Sequence, residues 1–274
     1  MYYFLATVFV LLGTPQASQT GVDQRAAVSI VARIQRADYE GDRAALAHLY
    51  EELAPFTNDK AIASKIYYWR GFALWRRAVN GFNDNVDPKE LEDDLKHAWS
   101  EFESATQKDP SFGDAKVGAL GCVSLIGYLH RHDSARLQVL MTQAQQLRKD
   151  AEASTPDNPR LLWVMGPNTW NAPPERGGGQ AKAIEMYKKG LEEIQKRKTA
   201  SIDALEPSWG EPELLMNLAY SYLHQATPDV SAAEESAEQA LKLVPYWHYL
   251  RDILLPQIRE AKAKAAVKTR NTAQ

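Results

Sequence analysis

Small and apolar residues along this chain fall repeatedly on one helical stripe. Four segments share a register, with residues at offsets of four, seven and twelve from an alanine. They are Ala98-Phe102-Ala105-Pro110, Ala144-Arg148-Ala151-Pro156, Ala183-Tyr187-Gly190-Gln195 and Ala233-Ala237-Ala240-Pro245. Offsets of four and seven lie on one helix face. A proline at the twelfth place stops the helix, because it lacks the next backbone donor. Upstream of each stands a companion built around a small residue: Tyr67…Gly71…Leu74, Val117…Gly121…Ser124, Leu162…Gly166…Thr169 and Leu215…Ala219…Tyr222. A small residue there lets a second helix approach closely, so each pair predicts a helical hairpin. A weaker copy starts near Ala45 and Leu49. Loops rich in Gly, Pro and Asn are predicted inside the hairpins, at Asn80–Pro88, His130–Asp133, Asn171–Gly179 and Thr227–Ser231.

The order small residue, alanine, aromatic, alanine, terminal proline resembles the tetratricopeptide (TPR) motif, from about Ile62 to Pro245. Arg148, Gly190 and Gln195 depart from the favoured types. Asn158-Pro159-Arg160, Gly177-Gly178-Gly179, Trp209-Gly210 and the run from Trp247 to Ile258 look like a family of exported bacterial TPR-like proteins with no established activity. More loosely, the set is similar to the periplasmic TPR subunit associated with some TRAP-type transporters. The resemblance implies an all-α, TPR-like right-handed solenoid of about four to five helical hairpins with a C-terminal capping helix. The chain then divides into a signal peptide (1–18), an N-terminal hairpin (19–59), the repeats (60–245), and a cap with a polar tail (246–274). The cap is expected to break at Leu255-Pro256.

Composition narrows the function classes. Of 274 residues, 45% are hydrophobic and 24% charged, which excludes global disorder. The net charge of -3 leaves no electrostatic footprint for nucleic acid. No charged side chain precedes Asp23, and Tyr2–Gly13 is apolar, too short to span a bilayer but of signal-peptide length. Cleavage is expected near Ala17 or Ser18, giving an exported, periplasmic or secreted product with no stable membrane span. Cys122 is the only cysteine, so no internal disulfide forms and no lipid-bearing cysteine follows the apolar stretch. Among Leu120, Val123 and Leu125 it reads as a core residue.

Candidate chemistry is sparse. Gly177, Gly178 and Gly179 precede a helix and read first as glycines that turn the chain tightly against a neighbouring helix, with a possible anion loop as the alternative. His130, His132 and Asp133 are the one local group of metal-capable side chains, without the partner ligands zinc requires. No catalytic motif is present, so no catalytic residue, metal or cofactor is assigned. In TPR-like stacks the first helix of each hairpin lines a concave groove. Tyr68, Phe72, Trp75, Trp163, Trp170, Met216 and Tyr220 fall there, with Arg76, Arg160 and Asn171 beside them to orient a peptide backbone or carboxylate. These residues point to a protein or peptide partner in the cell envelope. A ligand-binding accessory subunit of a transport system and an enzyme with dispersed active-site residues are the competing classes.

Overall fold

Short acidic and amide side chains set the helix starts. Asp42, Asp87, Asp133, Asn158 and Asp229 each accept a backbone N–H two or three residues ahead. Each thereby satisfies a donor that the first turn leaves without an intrahelical partner. The structure, a computed structural model, describes residues 17–197 and 203–272. Its α-helices are α1 (Ala17–Glu40), α2 (Arg43–Glu52), α3 (Ala63–Asn83), α4 (Pro88–Lys108), α5 (Gly113–Leu129) and α6 (Ser134–Ser154). They continue as α7 (Pro159–Asn171), α8 (Gln180–Arg197), α9 (Glu211–His224), α10 (Val230–Leu243) and α11 (Leu255–Thr272). No strand occurs among the described residues, and the class is all-α. The apolar start, residues 1–16, lies outside the described residues. No described helix is long and apolar enough to cross a membrane.

Consecutive helices pack as pairs: α1 with α2, α3 with α4, α5 with α6, α7 with α8, α9 with α10. The repeated register supplies the seam. Ala98, Phe102 and Ala105 of α4 are buried, as are Ala183 and Tyr187 of α8 and Ala233, Ala237 and Ala240 of α10. The companion glycines make room for large partners. A Cβ on Gly166 would collide with the Tyr187 ring, and one on Gly121 with the Trp75 indole.

Neighbouring pairs join in two ways. First helices touch in sequence, α1 to α3, α3 to α5, α5 to α7 and α7 to α9. Second helices also lean on the next pair, α2 on α3, α4 on α5 and α8 on α9. Helix α6 is the exception: it packs on α5 but not along α7. Its register residues show the effect, since Ala151 is buried while Ala144 is half-buried and Arg148 exposed.

Residues 203–210, between α8 and α9, are not helical and cross α3 and α7. Leu205, Pro207 and Trp209 are buried, whereas Glu206 is half-buried and Ser208 exposed. A turn at 203–206, closed by the Glu206 N–H on the Asp203 carbonyl, delivers Leu205 inward, and Pro207 and Trp209 follow. Trp69 Nε1 donates to the Leu205 carbonyl at 2.8 Å, and Trp209 Nε1 to the Tyr68 hydroxyl at 2.7 Å. Arg160 Nε donates to the Trp209 carbonyl at 3.0 Å. This connector covers the aromatic face of α3.

The ends of the chain are tied to this centre. Tyr39 of α1 meets Trp247 edge-on at 5.0 Å and donates its hydroxyl to Glu213 Oε1 at 2.7 Å. Asp38 accepts from Arg76 Nε at 2.8 Å, and the Gly210 N–H donates to Glu213 Oε2 at 2.8 Å. At the C-terminus the break expected at Leu255-Pro256 is a change of helical register instead. A π-helical stretch, Tyr249–Leu254, runs directly into α11, and its wider turn accommodates the missing Pro256 donor.

A candidate ligand groove between α6 and α7

Of the residues expected to line an open concave groove, Tyr68, Phe72, Trp75, Trp163 and Arg160 lie around the chain's own connector. Tyr68, Phe72, Trp75 and Arg76 are at most 3% exposed, which corrects their reading as surface anchors. Trp75, Trp163 and Trp209 form a mutual edge-on cluster with centroids 5.5–5.9 Å apart. Arg76 is held by Asp38, while Arg160 turns to Asp114 and to the Pro207 and Trp209 carbonyls. Trp170 packs half-buried beside the Ala183-Ile184-Tyr187 cluster. Tyr220 is 42% exposed and stacks on His224 at 4.0 Å, away from the others. Leu205, Pro207 and Trp209 occupy the place a peptide partner was expected to take.

The glycine loop spends its backbone donors within the chain. The N–H of Gly177 bonds to the Pro174 carbonyl (2.9 Å), that of Gly178 to Pro173 (3.2 Å) and that of Gly179 to Thr169 (2.8 Å). All three donors are used within the chain, so none is free for an anion. Gly177 at φ 77° and Gly179 at φ 109° occupy backbone conformations that side chains disfavour. The glycines therefore turn the chain.

The open surface lies where α6 and α7 fail to pack. From the Thr155–Asn158 connection these helices enclose a groove of about 750 Å³ floored by α5. Its size lies within the ordinary range for small-molecule sites. Leu137, Leu140, Met141 and Ala144 of α6 face Val164 and Met165 of α7, over Leu120 and Val123 of α5. Tyr128 and Met141 form a lip and are each 55% exposed. Ser124 Oγ, buried in the floor, has no hydrogen-bond partner among the described residues. Asn171, Gly177 and Gly178 do border this groove.

The charge of the groove is one-sided. Arg131, Arg148 and Arg176 line it, and no Asp or Glu does, although the chain as a whole is acidic. Arg148 is paired with Glu152 at 2.8 Å. Arg131 lies over the Tyr128 ring at 4.6 Å and donates only to the Tyr128 carbonyl, without a carboxylate partner among the described residues. Arg176, on the opposite bank, likewise has no carboxylate partner among them. A second cleft of about 440 Å³ adjoins it, sharing Arg148, Met165, Thr169 and Gly177. There the cations are paired, Lys189 with Asp157 and Lys182 with Glu185.

The turn at the mouth is fixed by Glu92 of α4. Burial opposes its ionisation, but hydrogen bonds from Lys96 and His130 and the charge of Arg136 lower its pKa to about 2. His130 is thus committed to Glu92 at 2.9 Å. Among the described residues no group of three or more His, Cys, Asp or Glu is placed to hold a metal. Cys122 is buried, and burial pushes its thiol well up. Sequence reasoning missed the groove, although its signal was present: Arg148 stands where the other copies carry Phe102, Tyr187 and Ala237.

Neither the protein-family models nor the curated proteins contain a match to this chain. Among solved structures it is similar to the HusA haemophore from Porphyromonas gingivalis, with a TM-score of 0.57 and 17% identity. The match covers 79% of this chain and 99% of that one. At that identity the likeness shows a shared helical fold.

Proposed function

We propose that this chain is an exported binding protein whose ligand, a largely apolar small molecule, occupies the groove between α6 and α7. In this reading the helical pairs form a TPR-like stack with one seam left unpacked for the ligand. The supporting observation is how little α6 packs on α7, where α2, α4 and α8 lean on the next pair. An apolar stripe facing an apolar wall across a gap is stabilised when a ligand removes both from water. The similar HusA structure is named as a haemophore, and the macrocycle of a tetrapyrrole is a broad apolar body suited to such a groove. This proposal moves the function away from a peptide adaptor with a concave groove and toward ligand-binding accessory proteins. It assigns no catalysis.

The test is a titration of the purified protein with haemin, followed by difference absorbance. Wild type should bind saturably. Ala144→Trp, which fills the groove from the half-buried middle of α6, should weaken binding at least tenfold with unchanged helicity. Absence of saturable binding by wild type, or equal binding by the variant, would count against the groove.

A peptide partner is the second reading, favoured by one feature. Val139, 58% exposed, adds apolar surface on α6 outside the groove lining.

A further inference from the structure

We propose that the groove selects a ligand carrying two carboxylates on an apolar body, with Arg131 and Arg176 as its two anion clamps. This rests on the groove being the ligand site, and adds the charge class of what enters it. Three features converge on a dianion. The lining holds arginines and no acid, in a chain where acids outnumber bases by 35 to 32. Two of those arginines lack a carboxylate partner among the described residues, whereas Arg148 and the cations of the adjoining cleft are paired. The two unpaired groups come from different elements on different sides: Arg131 from the α5–α6 turn, Arg176 from the short turn after α7.

Guanidinium presents a planar fork of donors that matches a carboxylate with two parallel hydrogen bonds. A guanidinium already bonded to Glu152 must surrender that partner first, but Arg131 and Arg176 need not. Arg131 is also oriented before binding, because its carbonyl bond and its contact with the Tyr128 ring hold the side chain against the lip. The apolar floor and the Leu140-Met141-Val164-Met165 walls take the body of the ligand, and Ser124 Oγ offers one hydrogen bond within it. A fatty acid supplies one anion and leaves a clamp idle. A diester supplies none.

The experiment compares protoporphyrin IX, a dicarboxylic acid, with its dimethyl ester, which has the same body and no charge. Wild type should bind the free acid at least about tenfold more tightly, the factor that one hydrogen bond to a charged group provides. The advantage should shrink as salt is raised, since the clamps are exposed. Arg131→Gln combined with Arg176→Gln should remove the preference while retaining ester binding. Both side chains are exposed, so folding is not at stake, and the wild-type comparison needs no variant. Equal binding of acid and ester by wild type overturns the dianion inference and leaves the groove standing. Failure of both molecules to bind removes the groove reading and this inference with it.

Discussion

Glu213 shows how far a single residue can set the behaviour of the core. It is fully buried at the start of α9, accepting from Tyr39 and from the Gly210 N–H. Burial raises its pKa above the usual glutamate value, with Arg76 pulling the other way. A carboxyl whose folded pKa is raised binds its proton more tightly in the native state. Its ionisation therefore subtracts stability as pH rises from the ordinary value of 4.5 through the folded one. Glu213→Gln keeps an acceptor for Gly210, offers a donor to Tyr39, and removes the titration. The variant should be more stable than wild type at neutral pH, with the gap closing toward pH 4.5. Urea melts across that range would show it, and a gap independent of pH would refute the assignment.

At the scale of elements, one register position has two fates. Phe102 of α4 is buried against Tyr68, Trp75 and Gly118. Arg148, its counterpart in α6, is exposed on the groove. Phe102→Ala should cost about 3–5 kcal/mol, the range for truncating a buried aromatic ring. Arg148→Ala should stay within about 0.5 kcal/mol, as for an ordinary surface position. Equal losses in denaturant melts would mean that α6 packs like α4. The hairpins were legible because their stripes and small-residue companions are local: Gly166 with Tyr187 follows from spacing alone. The connector was not legible. Leu205, Pro207 and Trp209 are few, separated by polar residues and far in sequence from Tyr68 and Trp69, and no local pattern says which face they cover.

For the molecule as a whole, the connector laid over the aromatic face of α3 moves the candidate surface to the groove between α6 and α7. Tyr68, Trp75, Trp163 and Arg160 all lie around Trp209 of the connector. The sequence did not show that the chain covers them itself, because burial depends on a long-range approach. Asn171, Gly177 and Gly178 border the groove, yet its walls were missed: Leu140, Met141 and Val164 look like ordinary core residues until the absent α7 contact is seen. The most direct test of the groove is hydrogen exchange on the full chain with and without bound haemin. The account predicts slowed exchange in 137–148 of α6 and 161–171 of α7, with 203–210 unchanged because Leu205, Pro207 and Trp209 are buried without ligand. Protection confined to the connector or to α9–α11, with α6 and α7 unaffected while haemin is bound, would contradict it.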